Sequence, residues 1–471
     1  MPDKLCDIGL VGLGVMGANF ALNMADKGFR VGVYNRTAEK TRRFMKEAVD
    51  DRPVEAGFSL EPFAGILKKP RAVVIFVPAG DPVDEVIDEL VAVFEPGDLI
   101  IDCGNSHFKD TERREESLSK KGFFYLGMGV SGGESGARHG PSLMPGGSEQ
   151  GYNRVRSILE ASAAQVKGDP CVTYVGPRSA GHYVKMVHNG IEYGIMQLIA
   201  ESYDLLRRGL DLDVERIQSI YTEWNQGKSN SYLMEITAHI LARRDEKSSR
   251  PLVDMILDRA RQKGTGKWTS SDALDLQTPV PTIDVAVGMR NMSDYKEERQ
   301  AAGEVLKGPS KSYQGDKEAF VHRLQNGLYA ASIISYAQGM ALLKQASCTY
   351  DYKLDLEAVA RIWRGGCIIR AAVLEDIRSA FRTQPDLRNL LLSPGLGKEV
   401  MDRREDLRQV IGTGAELGIP VPAFMSALSY FDAYRSEQLP ANLIMAQRDY
   451  FGAHRYERID AEGSFHTKWE E

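Results

Sequence analysis

The sequence predicts an α/β domain on a mostly parallel sheet, followed by a large all-α domain and a short C-terminal tail. Three observations lead there. From residue 6 to about 175, short apolar runs alternate with helical patterns. After Gly176-Pro177-Arg178-Ser179-Ala180-Gly181 the strand signals stop, and long amphipathic stretches dominate to roughly Tyr434. From Leu439 to Glu471 the chain becomes rich in Arg, Tyr and His, too polar to build a core alone. The expected boundaries are therefore 1–178, 179–438 and 439–471.

The first strand, Cys6 to Val11, runs straight into Gly12-Leu13-Gly14-Val15-Met16-Gly17, and a helix is expected to begin near Val15. This strand–turn–helix is the fingerprint of a Rossmann-type unit. Its first Gly permits the tight turn, its second admits a pyrophosphate, and its third lets helix pack on strand. The helix N-terminus offers amides and partial positive charge to the phosphates. The second strand, Arg30 to Tyr34, ends in Asn35-Arg36-Thr37, where NAD-binding units carry an acid for the ribose 2′-hydroxyl. An Arg there pairs with a 2′-phosphate instead, which points to NADP. It also argues against an S-adenosylmethionine site, which wants an acid at that place. Further strands are expected at Ala72 to Val77, Leu99 to Asp102, Phe123 to Leu126 and Val172 to Val175, with helices between them. Ligands of such sheets bind beyond the carboxyl ends of the strands, where Asn105 lies.

Composition narrows the class. The 471 residues allow about three domain-sized units, and 43% hydrophobic with 26% charged residues is ordinary for a globular enzyme. A formal net charge of −6 gives no sign of a nucleic-acid partner. No apolar run reaches the ~18 residues of a membrane span. Five scattered cysteines without a CxxC read as a reduced, cytoplasmic pattern, and sparse His without HExxH offers no metal site.

The first helix of the second domain, His182 to Arg207, is apolar on most faces. Lys185, His188, Asn189 and Glu192 fall on one stripe of it, about 100° wide. A polar stripe on a buried helix must face water, a partner or a ligand. Gly190 and Gly194 imply close approach of something to this helix. A lysine in a dry pocket loses its proton more readily, and a glutamate there keeps its own. Such a pair beside a nicotinamide suits oxidation of a hydroxyl followed by a proton-dependent step. Ser131-Gly132-Gly133 suits a carboxylate, and Lys263-Gly264-Thr265-Gly266-Lys267-Trp268 suits a phosphate. Spacing alone gives Arg290, Arg448 and His454 no meaning beyond surface residues.

Taken together, these stretches resemble the 6-phosphogluconate dehydrogenase family, the decarboxylating, NADP-linked enzymes of the oxidative pentose phosphate pathway. The resemblance spans nearly the whole chain. It rests on Gly12 to Gly17 with Asn35-Arg36-Thr37, Asp102-Cys103-Gly104-Asn105 and Gly129-Val130-Ser131-Gly132-Gly133-Glu134. It continues through Lys185 to Tyr193, Lys263 to Trp268 and Gln447 to His454. It implies Lys185 as base and Glu192 as acid. It implies contacts to the carboxylate and hydroxyls of 6-phosphogluconate from Asn105, Ser131, Gly132, Gly133, His188 and Asn189. Tyr193, Lys263, Thr265, Arg290, Arg448 and His454 match the phosphate end. NADP would be held by Gly12, Leu13, Gly14, Val15, Met16, Gly17, Asn35, Arg36 and Thr37, with Val77, Pro78, Ala79 and Asn105. The tail would complete the site of a second subunit, in an obligate homodimer.

The chain departs from the family pattern in three places. Val77-Pro78-Ala79-Gly80 lacks a Lys that many members carry, while Gly14 and Cys103 stand where many have Ala and Gly. The first departure bears on NADP affinity; the others leave the mechanism intact. Two competing readings remain: a dehydrogenase of an unphosphorylated 3-hydroxy acid, opposed by Lys263, Arg290 and Arg448, and a non-catalytic NADP-binding protein, opposed by the buried Lys185 and Glu192 together.

Overall fold

The computed structural model describes residues 5–309 and 312–470. Seven strands form one sheet: β1 (Ile8–Val11), β2 (Val31–Tyr34), β3 (Val54–Ala56), β4 (Ala72–Ile75), β5 (Leu99–Asp102), β6 (Phe124–Ser131) and β7 (Ser142–Gly147). Their spatial order is β3-β2-β1-β4-β5-β6-β7. All neighbours pair in parallel except β6 and β7, which are antiparallel. The order reverses at β1, and a parallel sheet opens its ligand crevice where the order reverses. Both faces are covered, as a parallel sheet requires: Ile8, Leu10 and Val74 pack into one apolar cluster, Val11, Val73 and Ile75 into another.

Two strands of this sheet were not expected from the sequence, and one expected strand is incomplete. β3 is short, and β7 contains Pro145-Gly146-Gly147, residues that punctuate rather than extend a strand pattern. The stretch Val172 to Val175 does not form a full strand. It follows β7 through isolated bridges, Leu143 with Val172 and Gly146 with Gly176. Leu143 donates to Cys171 and Gly147 to Gly176, but Pro145 between them has no N–H to donate, so the ladder breaks.

Beyond residue 179 the domain is helical, as expected. Its central helix, Ala180–Asp204, continues into a π-helical turn, Leu205–Gly209. Close contact of glycines fixes where this helix stands. A β-carbon on Gly181 would lie 2.1 Å from the Gly127 carbonyl oxygen, and one on Gly146 would lie 2.2 Å from the Gly181 nitrogen. The helix therefore starts directly on β6 and β7, and its next turns pass the ends of the strands. The long helix Lys317–Thr349 packs along it through a cluster that includes Val187, Ile191, Ile334 and Ala337. Among the described residues no helix is long and apolar enough to cross a membrane.

Candidate active site

The glycine turn after β1 is shaped from two sides. Gly12 has φ +101°, and a β-carbon there would sit 2.2 Å from the Phe76 carbonyl oxygen; one on Gly17 would sit 2.0 Å from the Gly12 carbonyl oxygen. Above Gly14, by contrast, nothing lies within 4 Å of a β-carbon. Two glycines thus serve tight packing, and the middle one leaves room for a ligand. The helix Val15–Asp26 begins here with no side-chain cap and no acid in its first turn, so its amides are available to an anion. Asn35 Oδ1 accepts from Leu13 N at 3.0 Å, tying the tip of β2 to the turn. Arg36 projects into solvent and meets Glu85 Oε2 at 3.2 Å, and Thr37 precedes the helix Ala38–Glu47. Val77, Pro78 and Ala79 follow β4 on the same edge of the sheet. A glycine turn with open space and an exposed Arg beside it fits a dinucleotide that ends in a 2′-phosphate.

Asn105 is exposed on the loop after β5, and the loop is held by Asp102. That carboxylate is wholly buried. It accepts from Gly104 N at 2.9 Å, Ser106 Oγ at 2.6 Å and Tyr125 Oη at 3.2 Å, with Arg114 Nη1 at 3.5 Å. Arg114 also donates to the Gly80 carbonyl at 3.0 Å and to Asp84. The two loops expected to hold the cofactor are thereby fastened to one guanidinium. In the sequence Asp102 belongs to a motif and Arg114 to none; the one available signal is an acid closing an otherwise apolar strand.

The central helix carries the ionisable groups of the stripe. Lys185 is 6% exposed, among apolar neighbours and beside Cys367. Burial pushes its pKa down, opposed by the negative charge of Glu192. Burial pushes the Glu192 carboxyl up, opposed by Lys185 and Arg290. The same desolvation that favours a neutral lysine thus favours a protonated glutamate. Between them lies His188, fully buried and held well below its usual pKa by burial and by Lys185. Its Nδ1 stands 3.0 Å from Asn189 Oδ1 and 3.8 Å from Glu192 Oε2. Since the Asn189 oxygen only accepts, Nδ1 carries the proton and Nε2 accepts from Ser131 Oγ at 3.3 Å.

Neighbouring elements close around this stripe. Ser131 Oγ also accepts from Ile368 N at 3.4 Å, and Gly132 presses on the Gly366 carbonyl, where a β-carbon would come within 2.5 Å. Gly133 is exposed beside it. Asn189 Nδ2 donates to Thr265 Oγ1 at 3.2 Å. Thr265 opens the helix Thr265–Asp275 just after the exposed Lys263, so amides and an ammonium meet at one helix start. The Arg290 guanidinium lies 3.6 Å over the Tyr193 ring. His107, two residues past Asn105, meets Trp268 edge-on at 4.9 Å, which brings the Asn105 loop to the Lys263–Trp268 loop. Close approach at Gly190 and Gly194 comes from Thr269 and Ser335, side chains of neighbouring helices rather than a ligand. Gly129, in β6, faces the stem of Lys185 and was absent from the expected site.

Two expected residues stay apart. Arg448 and His454 are exposed on the tail, and their side-chain contacts are local: Arg448 with Met445, His454 with the Phe451 ring. Within one chain they join none of the residues above among those described. Also among the described residues, no group of three His, Cys, Asp or Glu is placed to hold a metal ion.

A Rossmann-type sheet, a helical second domain and a buried Lys–Glu stripe facing the cleft define a nicotinamide-nucleotide-dependent dehydrogenase of a hydroxy acid. The sequence profile for the NAD binding domain of 6-phosphogluconate dehydrogenase matches residues 7–176, and that for the C-terminal domain of the same enzyme matches residues 181–469. The chain belongs to the 6-phosphogluconate dehydrogenase family. It is 52% identical over 468 residues, 99% of each chain, to the decarboxylating 6-phosphogluconate dehydrogenase of Synechococcus elongatus. Two Bacillus subtilis relatives are each 50% identical over 98% of this chain, one named NADP(+)-dependent, covered over 98%, and the other NAD(+)-dependent, covered over 99%. The structure of Plasmodium falciparum 6-phosphogluconate dehydrogenase, described in apo form, with its cofactor NADP+ and with its substrate 6-phosphogluconate, superposes with TM-score 0.96 at 48% identity, over 98% of this chain and all of that one.

Proposed function

We propose that this chain oxidises and decarboxylates 6-phospho-D-gluconate to D-ribulose 5-phosphate and carbon dioxide with reduction of NADP to NADPH, in the oxidative pentose phosphate pathway. The observation that carries the reading is the pairing of Lys185 and Glu192 on one buried helical face, each shifted toward its neutral form. NADP, when bound, supplies the hydride acceptor. Its pyrophosphate would lie on the amides of Gly12 to Gly17 and its 2′-phosphate on Arg36, flanked by Asn35 and Thr37, with Val77, Pro78, Ala79 and Asn105 toward the nicotinamide side. Between the two cofactor specificities named among its relatives, Arg36 favours NADP.

Neutral Lys185 takes the proton from the hydroxyl on carbon 3 as hydride leaves that carbon. The ammonium so formed gives its proton to the new ketone oxygen while the carboxyl carbon departs as carbon dioxide, and the electron pair it leaves behind forms an enediol. Protonated Glu192 then delivers its proton to the carbon that becomes carbon 1 of the product, while Lys185 takes back the proton of the neighbouring hydroxyl and the ketone forms. Ser131, Gly132, Gly133, His188, Asn189 and Asn105 orient the carboxylate and hydroxyls. Tyr193, Lys263, Thr265 and Arg290 hold the phosphate. Arg448 and His454 complete that end from a second copy, in a homodimer; their separation from the site within one chain supports this, as do the exposed Leu443, Ile444 and Phe451 of the tail. The reduced-cysteine pattern supports a cytoplasmic protein.

NADPH and carbon dioxide should be followed together in the purified protein, with NADP against NAD and with 6-phosphogluconate against gluconate. Equal yields from NADP and the phosphorylated acid are expected. NADPH without carbon dioxide, or equal rates on gluconate, would refute the assignment.

A further inference from the structure

The tail contains a carboxylate where a small fold would place an apolar core. Asp449 is the single buried residue of the helix Ala441–Gly452 and is wholly inaccessible, while Leu443, Ile444, Tyr450 and Phe451 around it are exposed. Donors from the last part of the chain converge on it. Oδ1 accepts from Arg455 N at 3.0 Å and from His466 Nδ1 at 2.9 Å; Oδ2 accepts from Thr467 N at 3.0 Å and from Trp469 Nε1 at 2.9 Å. Tyr456 and Phe465 bridge to each other through both backbone hydrogen bonds, and Tyr456 Oη meets Thr467 Oγ1. Desolvation opposes the charge, yet these bonds hold the Asp449 carboxyl well below the usual carboxylate range.

The geometry sets a particular stretch of backbone. Ala453 ends the helix in the left-handed region at φ 48°, and Arg455 follows at φ 63°. Neither is a glycine, so each conformation needs outside support. Support arrives on both sides of His454: Ala453 N donates to the Asp449 carbonyl at 2.9 Å, and Arg455 N donates to the Asp449 side chain. Arg448 precedes the same residue. We infer that Asp449 is a positioning residue for the phosphate end of the site, and that the segment from Arg455 to Trp469 is the clasp that locks it. The carboxylate fixes Arg448 and His454 in the one arrangement that a second copy of this chain receives. This rests on the proposed assignment of those two residues to the substrate phosphate.

Asp449→Asn replaces an acceptor-only group by one that meets N–H donors with its own NH2. The variant should raise KM for 6-phosphogluconate at least tenfold, with kcat and KM for NADP within about threefold of the parent and any rate on gluconate unchanged. A chain ending at Gly463 should show the same split. Trypsin should cut at Arg448 or Arg455 at least tenfold faster in both variants. Unchanged KM with unchanged proteolysis overturns the inference, as does equal loss of kcat on both acids. Faster proteolysis in a protein whose parent does not turn over 6-phosphogluconate would sink the functional reading and leave the clasp standing.

Discussion

Gly129 lies so close to Lys185 that a β-carbon on residue 129 would stand 2.4 Å from Lys185 Cβ and 3.0 Å from its Cγ. The strand therefore carries no side chain where the lysine stem passes. Gly129→Ala should push the central helix from β6, costing about 1–3 kcal/mol by overpacking. A displacement near 1 Å at the base should lower kcat about 100-fold. Denaturant unfolding and steady-state kinetics would measure the two effects, and a fully active, equally stable variant would show that the contact relaxes freely.

At the other end of the cleft, Arg36 is exposed and pairs with Glu85. An exposed pair of this kind adds little to stability, so Arg36→Ala should leave the melting temperature unchanged. A lost charge-assisted bond to a 2′-phosphate is worth about 1.5–3 kcal/mol, so KM for NADP should rise roughly 10- to 100-fold while KM for NAD stays put. Equal effects on the two cofactors would remove Arg36 from phosphate recognition.

Much of this was legible in the sequence because it is written locally. The Gly12–Gly17 turn follows its strand directly, and the stripe from Lys185 to Glu192 repeats at helical spacing, so pattern alone put four groups on one face. What stayed hidden depends on contacts between distant segments. β7 carries Pro145 and two glycines because it is an edge on which another segment rides. Arg114 gains meaning only when Gly80, Asp84 and Ser106 gather round it. Asp449 looks like an ordinary surface acid until residues 455–469 fold back on it.

The activity should depend on pH as a bell. Lys185 must be neutral to accept a proton, and its pKa lies below the ordinary 10.5; Glu192 must hold a proton, and its pKa lies above the ordinary 4.5. The limbs belong to the coupled pair rather than to either residue. Glu192→Gln should abolish one limb of kcat/KM and slow product formation by at least about 100-fold, the lower end of what general acids contribute. A profile with both limbs intact would assign the titration elsewhere.

Stability should respond to the same burial. Because the folded pKa of Lys185 is depressed, the unfolded chain binds more protons below pH 10.5, and folding stability is lost as pH falls from there through the folded pKa. Lys185→Met removes that penalty. Its melting temperature relative to the parent should rise as pH is lowered through this window, and a constant difference would mean that the lysine is solvated.

Lys185→Met decides whether Lys185 is the base when turnover and cofactor binding are measured in the same preparation. NADP affinity should stay within about threefold of the parent and turnover should fall by at least about 1,000-fold, within the contribution of a positioned base at about 100- to 10,000-fold. Turnover within tenfold of the parent, or loss of NADP binding along with it, would contradict the assignment.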